Sequence, residues 1–267
     1  MSTLPGERIP ITTAPNLRDL GGWATRHGGR VRIGQVYRSA ELARLSGDDV
    51  AAFAALGIRV VYDLRTAAER SSQPDQLPGG VDVQVLDILA DAAGAAPASL
   101  LGALHDPATA AQQLGDGQAE ALFDGAYREF LTLPSATDSY HRLFSGLVDD
   151  DRRPALFHCT TGKDRTGWAA AALLLLLGVS EDDVMRDYLL TNAELLPQLQ
   201  PIFDRFAAAG GDPGVLRPVL GVESGYLAAS LDEMKTRYGT VEHYFEAGLH
   251  LSAGDQQRLR EALIETD

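Results

Sequence analysis

Four residues, Pro154-Ala155-Leu156-Phe157, lead into His158-Cys159-Thr160-Thr161-Gly162-Lys163-Asp164-Arg165-Thr166-Gly167, and an unbroken apolar run from Trp168 to Leu177 follows. The short, proline-bounded segment reads as a buried strand and the longer run as a buried helix, so the ten residues between them form a strand-to-helix turn. No other part of the chain restricts its fold as tightly.

Such a turn can gather backbone N–H groups at a helix N-terminus, where unpaired donors and the positive end of the helix dipole both favour an anion. A tetrahedral phosphate suits that cradle, with Thr160, Thr161, Gly162 and Lys163 supplying its wall. The same field favours a thiolate over a thiol, which makes Cys159 a nucleophile at neutral pH. Arg165 stands six residues after Cys159, and its planar fork can hold two phosphoryl oxygens as the reaction proceeds. Thr166 is placed to donate a hydrogen bond to the sulfur and help it leave when water attacks. His158 is expected to orient the loop from behind. An ordinary buried thiol would need none of these companions.

With these residues the chain resembles the cysteine-dependent protein tyrosine phosphatases, and within them the bacterial branch that dephosphorylates both proteins and lipids. The resemblance extends to Asn16-Leu17-Arg18-Asp19-Leu20-Gly21-Gly22, Val36-Tyr37-Arg38-Ser39-Ala40-Glu41-Leu42, Asp63-Leu64-Arg65 and Gly225-Tyr226-Leu227. It implies a two-step reaction in which Cys159 takes the phosphoryl group and water removes it, with no metal and no other cofactor. Phosphotyrosine in proteins is the substrate it implies first. A phosphoinositide phosphatase, or dual protein and lipid specificity, is the alternative, and a non-catalytic phosphate-binding module is a third reading that intact Cys159 and Arg165 disfavour. Sulfur transfer of the rhodanese type also uses a cysteine loop, but the His-Cys start and the threonine after the arginine fit phosphoryl transfer better.

The proton for the leaving oxygen could come from several carboxylates. Asp164 is fixed within the loop and is the first choice; its alternative role is to accept loop N–H groups. Asp87 and Asp91 follow an expected strand at a place where better-known relatives carry a mobile acid loop, but Asp87-Ile88-Leu89-Ala90-Asp91 lacks the proline-flanked aspartate seen there. Lys163 could pair with a second phosphate beside the scissile one, as on a phosphoinositide headgroup, or be a solvated surface charge. Arg18, Arg38 and Arg65 are expected to pair with Asp19, Glu41 and Asp63 rather than with substrate.

The remaining sequence fits one phosphatase domain over residues 1–267, since 267 residues with 45% hydrophobic content can bury a large core. A net charge of −14 argues against nonspecific attraction to nucleic acid or anionic membranes. One cysteine excludes an intramolecular disulfide and suits a reducing compartment. The start of the chain lacks the pattern of a secretory leader, and the apolar run after the loop is shorter than the roughly 20 residues of a membrane-spanning helix. The expectation is a protein without integral membrane association, cytoplasmic or secreted without a classical signal peptide.

Local patterns predict an α/β fold with a mostly parallel sheet flanked by helices. Trp23 to Arg32 reads as a hairpin around His27-Gly28-Gly29, and Gln35–Ser39, Arg59–Leu64, Val81–Leu86 and Ala155–His158 read as strands. Ser46 is expected to cap a helix that stops at Gly57, Thr66 and Glu69 form a capping box, and Ser180 starts a helix after the central one. Residues 90–118 read as a flexible insertion, and residues 180–265 as a helical segment that could form a lid over the thiolate.

Overall fold

The structure is a computed structural model that describes residues 4–92 and 106–266. Among these the strands are β1 (Arg18–Asp19), β2 (Arg30–Val31), β3 (Val36–Ser39), β4 (Val60–Asp63), β5 (Asp82–Val85), β6 (Ala155–His158) and β7 (Ile264–Glu265). Five of them form one sheet in the order β1-β3-β6-β4-β5. Only β1 runs antiparallel to its neighbour; β3, β6, β4 and β5 are parallel. The mixed α/β architecture with a mostly parallel sheet is therefore the one predicted.

Alternation along the strands divides the core in two. Tyr37, Val61 and Leu156 pack on one face with Phe53 of helix α1 (Asp48–Ala54). Val36, Val60, Tyr62, Ala155 and Phe157 join the larger cluster on the other face. That second face is covered by α5 (Pro134–Val148) and α6 (Arg165–Leu176), which are preceded in the chain by α2 (Ala67–Ser72), α3 (Pro107–Leu114) and α4 (Gln118–Glu129). Every residue of α6 is buried, which explains why its sequence shows no polar stripe. Three further long helices follow: α7 (Glu181–Ala208), α8 (Ser224–Tyr238) and α9 (Ala253–Leu263).

The expected caps at Thr66 and Ser180 are present: Thr66 and Glu69 close a reciprocal capping box, and Ser180 accepts from the backbone of Asp183. The cap expected at Ser46 is not. Gly47 occupies that position without a side-chain bond, and Asp49 instead accepts from the backbone and hydroxyl of Thr13, each at 2.8 Å. The helix start is thus tied to the N-terminal segment, a long-range partner that no local pattern announces.

The turn at His27-Gly28-Gly29 closes as expected, with Thr25 N donating to Gly29 O, but β2 pairs with β7 from the far end of the chain. In the stretch 90–118, residues 93–105 lie outside the described residues, while Pro107–Leu114 is helical, capped by Asp106, with Ala110 and Leu114 buried. Its one large apolar residue is Leu114, the rest of its apolar positions being alanines and a proline, which gave little periodicity to read.

Candidate active site

The loop after β6 sits at the carboxyl end of the central strand, flanked by β3 and β4. Cys159 is 1% exposed. Among the described residues, no backbone N–H of residues 160–164 donates to a protein acceptor. These donors stand at the start of α6, so the turn offers an anion unspent hydrogen bonds and the positive end of a fully buried helix. Gly162 has φ +66°, and a Cβ there would lie 2.3 Å from the carbonyl oxygen of Ser39; only glycine lets the loop press against β3.

A buried network holds that loop from behind. Arg38 Nη2 and Asn16 Nδ2 both donate to the carbonyl of Gly162, at 2.7 and 3.0 Å. Arg38 and Arg18 in turn share one carboxylate, Asp187 of α7, through Oδ2 and Oδ1 at 2.8 Å each. Burial lowers the Arg18 pKa to about 10, Asp187 opposes that shift and the neighbouring Arg38 adds to it. The expected partners of Arg18 and Arg38 were Asp19 and Glu41, and the structure corrects both: Asp19 accepts from the backbone of Gly21 and Gly34, and Glu41 meets Arg65. Arg65 does pair with Asp63 as expected and also with Asp75. All three arginines serve the scaffold.

His158 is fully buried, with Nδ1 at 3.0 Å from the carbonyl of Cys159 and Nε2 at 3.2 Å from Asp75. It thus lies behind the loop that carries Cys159. Asp63, Asp75 and His158 bring three potential metal-ligand atoms within 4.8 Å of one another. Arg65 already lies across the two carboxylates at 2.7 Å, so the charge that a cation would neutralise is met by a guanidinium.

Arg165 is held by a residue whose role the sequence reading missed. Its Nη1 and Nη2 donate to the two oxygens of Glu69 at 2.8 and 2.7 Å, and Nη1 also reaches Leu64 O at 3.3 Å. Glu69 was assigned only to the capping box, and no local pattern links it to a residue 96 positions away. A guanidinium has five N–H donors, and these bonds use three. What remains is Nε–H and one Nη2–H, adjacent on a single edge, a pair suited to two oxygens of one phosphoryl group.

Burial alone would raise the Glu69 pKa; the hydrogen bonds and charge of Arg165, with help from Thr160, reverse this and hold it far below the ordinary 4.5. A carboxylate depressed on folding stabilises above its unfolded pKa and loses that contribution as pH falls through its folded one. Replacing Glu69 by Gln is therefore expected to cost about 2 kcal/mol near neutral pH by leaving Arg165 without its counter-charge. The gap between wild type and variant in urea midpoints should be full above pH 4.5 and shrink below it; a constant gap would show that the charge is not what matters.

The other loop residues differ in how they meet expectation. Thr160 donates to Glu69. Thr166 Oγ1 is buried without a hydrogen-bond partner, so the expected bond to the Cys159 sulfur is not made. Lys163 is neither a solvated charge nor a free cation: it is 5% exposed, its Nζ lies 3.0 Å from Asp164 Oδ1, and it sits 4.4 Å above the ring of Phe123. Asp164 accepts from Lys163 and from the hydroxyl of Tyr127 at 2.9 Å. Asp87 and Asp91 make hydrogen bonds of their own. Asp87 accepts from the backbone of Leu89 at 3.1 Å, and Asp91 binds the backbone and hydroxyl of Ser135 at the start of α5.

Residues 9–265 match the profile of the tyrosine phosphatase family. The chain belongs to that family. A Cupriavidus necator protein named for tyrosine-protein phosphatase activity is 33% identical over 250 residues, covering 91% of this chain and 84% of its own. The triple specificity protein phosphatase PtpB of Mycobacterium tuberculosis is 32% identical over 278 residues, covering 93% and 96% respectively. A tyrosine-protein phosphatase of Nostoc commune is 30% identical over 231 residues, covering 84% and 72%. In this tyrosine phosphatase the cysteine loop lies on the central strand, and no helix among the described residues is long and apolar enough to cross a membrane.

Proposed function

We propose that this chain, acting as one phosphatase domain, hydrolyses phosphotyrosine in proteins through a phosphocysteine on Cys159. The observation that carries the reading is the free edge of Arg165 beside a loop with unspent N–H groups, since together they provide donors for a phosphoryl group next to a thiol. In the first step the sulfur lone pair of Cys159 forms an S–P bond as the P–O bond to the tyrosine breaks, and the departing oxygen takes a proton from Asp164. In the second, water attacks phosphorus, gives a proton to the Asp164 carboxylate, and the S–P bond breaks to return the thiolate and inorganic phosphate. Loop N–H groups and Arg165 bind the phosphoryl oxygens throughout.

Lys163 bears on substrate choice. Its ammonium already faces Asp164 and lies over Phe123, so pairing with a second phosphate would cost it the half-buried partner it has. That favours a monophosphorylated residue over a phosphoinositide headgroup in this chain, although PtpB is named for triple specificity. Rates on a phosphotyrosine peptide, a phosphoserine peptide and a soluble phosphoinositide at fixed salt test the reading. The expected order puts phosphotyrosine at least about tenfold ahead in kcat/KM, a difference of roughly 1.4 kcal/mol in transition-state stabilisation. A phosphoinositide turned over fastest would overturn it.

A further inference from the structure

Asp164 has two carboxylate oxygens, and the structure treats them unequally. Oδ1 accepts from the Tyr127 hydroxyl at 2.9 Å and from Lys163 Nζ at 3.0 Å, while no described side-chain or backbone donor reaches Oδ2. Tyr127 comes from α4, 37 residues earlier, and is fully buried. Its ring is fixed by Phe130, Tyr226 and Tyr188, with centroids 5.1, 5.7 and 6.2 Å away, and its carbonyl accepts from Ser230 of α8.

The direction of the hydrogen bonds follows from counting protons. A phenol has one. Tyr127 spends its own on Asp164, so the 2.7 Å contact between Tyr127 and Tyr188 hydroxyls must be donated by Tyr188. The order is Tyr188 to Tyr127 to Asp164 Oδ1. Burial, with the Asp164 charge next, raises the pKa of Tyr127 well above 10, and burial followed by Asp164 does the same for Tyr188, so both phenols keep their protons.

We propose that Tyr127 is a positioning residue for proton transfer, pinning Oδ1 of Asp164 so that Oδ2 is the oxygen that carries the proton to the leaving group. This rests on the reading of Asp164 as general acid and adds to it the device that fixes its orientation. In the protonated acid, Oδ1 remains an acceptor for both donors and Oδ2 holds the hydrogen. After the P–O bond breaks, the leaving oxygen has that hydrogen and the carboxylate keeps its two donors. In the second step Oδ2 recovers a proton from the attacking water. An unpinned carboxyl would rotate between orientations and spend part of its time unable to donate.

The test uses Tyr127→Phe and two aryl phosphates, one with an electron-poor ring whose oxygen leaves without a proton and one with an unactivated ring. The variant is expected to keep kcat within about twofold on the first substrate and lose about tenfold on the second, with KM unchanged on both, because general acid assistance matters only for the poor leaving group. Tyr188→Phe, which removes only the hydroxyl feeding Tyr127, should show the same selectivity at smaller size. Asp164→Asn should show it at larger size, and adding Tyr127→Phe to Asp164→Asn should change nothing further. Equal slowing of both substrates by Tyr127→Phe, or no slowing, alongside a selective Asp164→Asn would overturn the positioning role and leave Asp164 as the acid. A non-selective Asp164→Asn would remove the acid reading and the positioning role with it.

Discussion

Cys159→Ser is expected to bind inorganic phosphate much as the wild type does while hydrolysing an aryl phosphate roughly 10⁴-fold more slowly or worse, the scale on which loss of a nucleophile acts. The reason is a division of labour visible in the loop. The N–H groups of residues 160–164 and the free edge of Arg165 make up the proposed cradle, and none of these donors is altered when sulfur becomes oxygen. A serine hydroxyl in the same place has a far higher pKa than a thiol and no general base at its side, because His158 faces the carbonyl of Cys159 and Asp75 rather than residue 159's side chain. Calorimetric titration with phosphate and a steady-state assay separate the two properties. Residual turnover within about a hundredfold of wild type would remove Cys159 from its assigned role. In the wild type, rapid quenching during turnover should trap a phosphorylated peptide containing Cys159, and the serine variant should yield none.

The second large effect is on stability. Asp187→Ala is expected to cost about 3–5 kcal/mol, because it leaves two fully buried guanidiniums, Arg18 and Arg38, facing each other without the carboxylate they share. Both cations rely on that one carboxylate, with Glu194 acting more weakly on Arg18, and the lowered pKa of Arg18 reflects burial first, opposed by Asp187. Removing the anion turns a strained balance into an uncompensated one. Activity should fall with it, since Arg38 is one of two side chains that hold the Gly162 carbonyl. Urea denaturation measures the first effect. A loss below about 1 kcal/mol would show that the arginines find other partners or that water reaches them.

Much of the fold was legible in the sequence because its elements are locally encoded. The strand, loop and helix around residues 154–177 could be placed from apolar run lengths alone, and the caps at Thr66 and Ser180 from spacings of three residues. Ser46 misled for the same reason in reverse: it has cap chemistry, but the competing anchor, Asp49 to Thr13, lies 36 residues away. Composition likewise hid α3, whose buried positions include only Ala110 and Leu114. In the loop, Cys159, Arg165 and Gly162 were readable because one turn fixes their relation.

What lies behind the loop was not readable. Asp187, Glu69 and Tyr127 each reach it from helices distant in sequence, and nothing within a few residues of any of them marks that destination. Glu69 is readable for its cap, and Asp187 only as one residue of the helical segment after Ser180; their roles behind the loop arise when burial forces a guanidinium to find a carboxylate. The sequence by itself determined the strand, turn and helix that carry Cys159 and Arg165 and the α/β frame around them, since short-range spacing and backbone sterics settle those. Only the tertiary structure decided which charges face one another in the interior, because desolvation makes each buried ion depend on a partner that folding, not spacing, supplies.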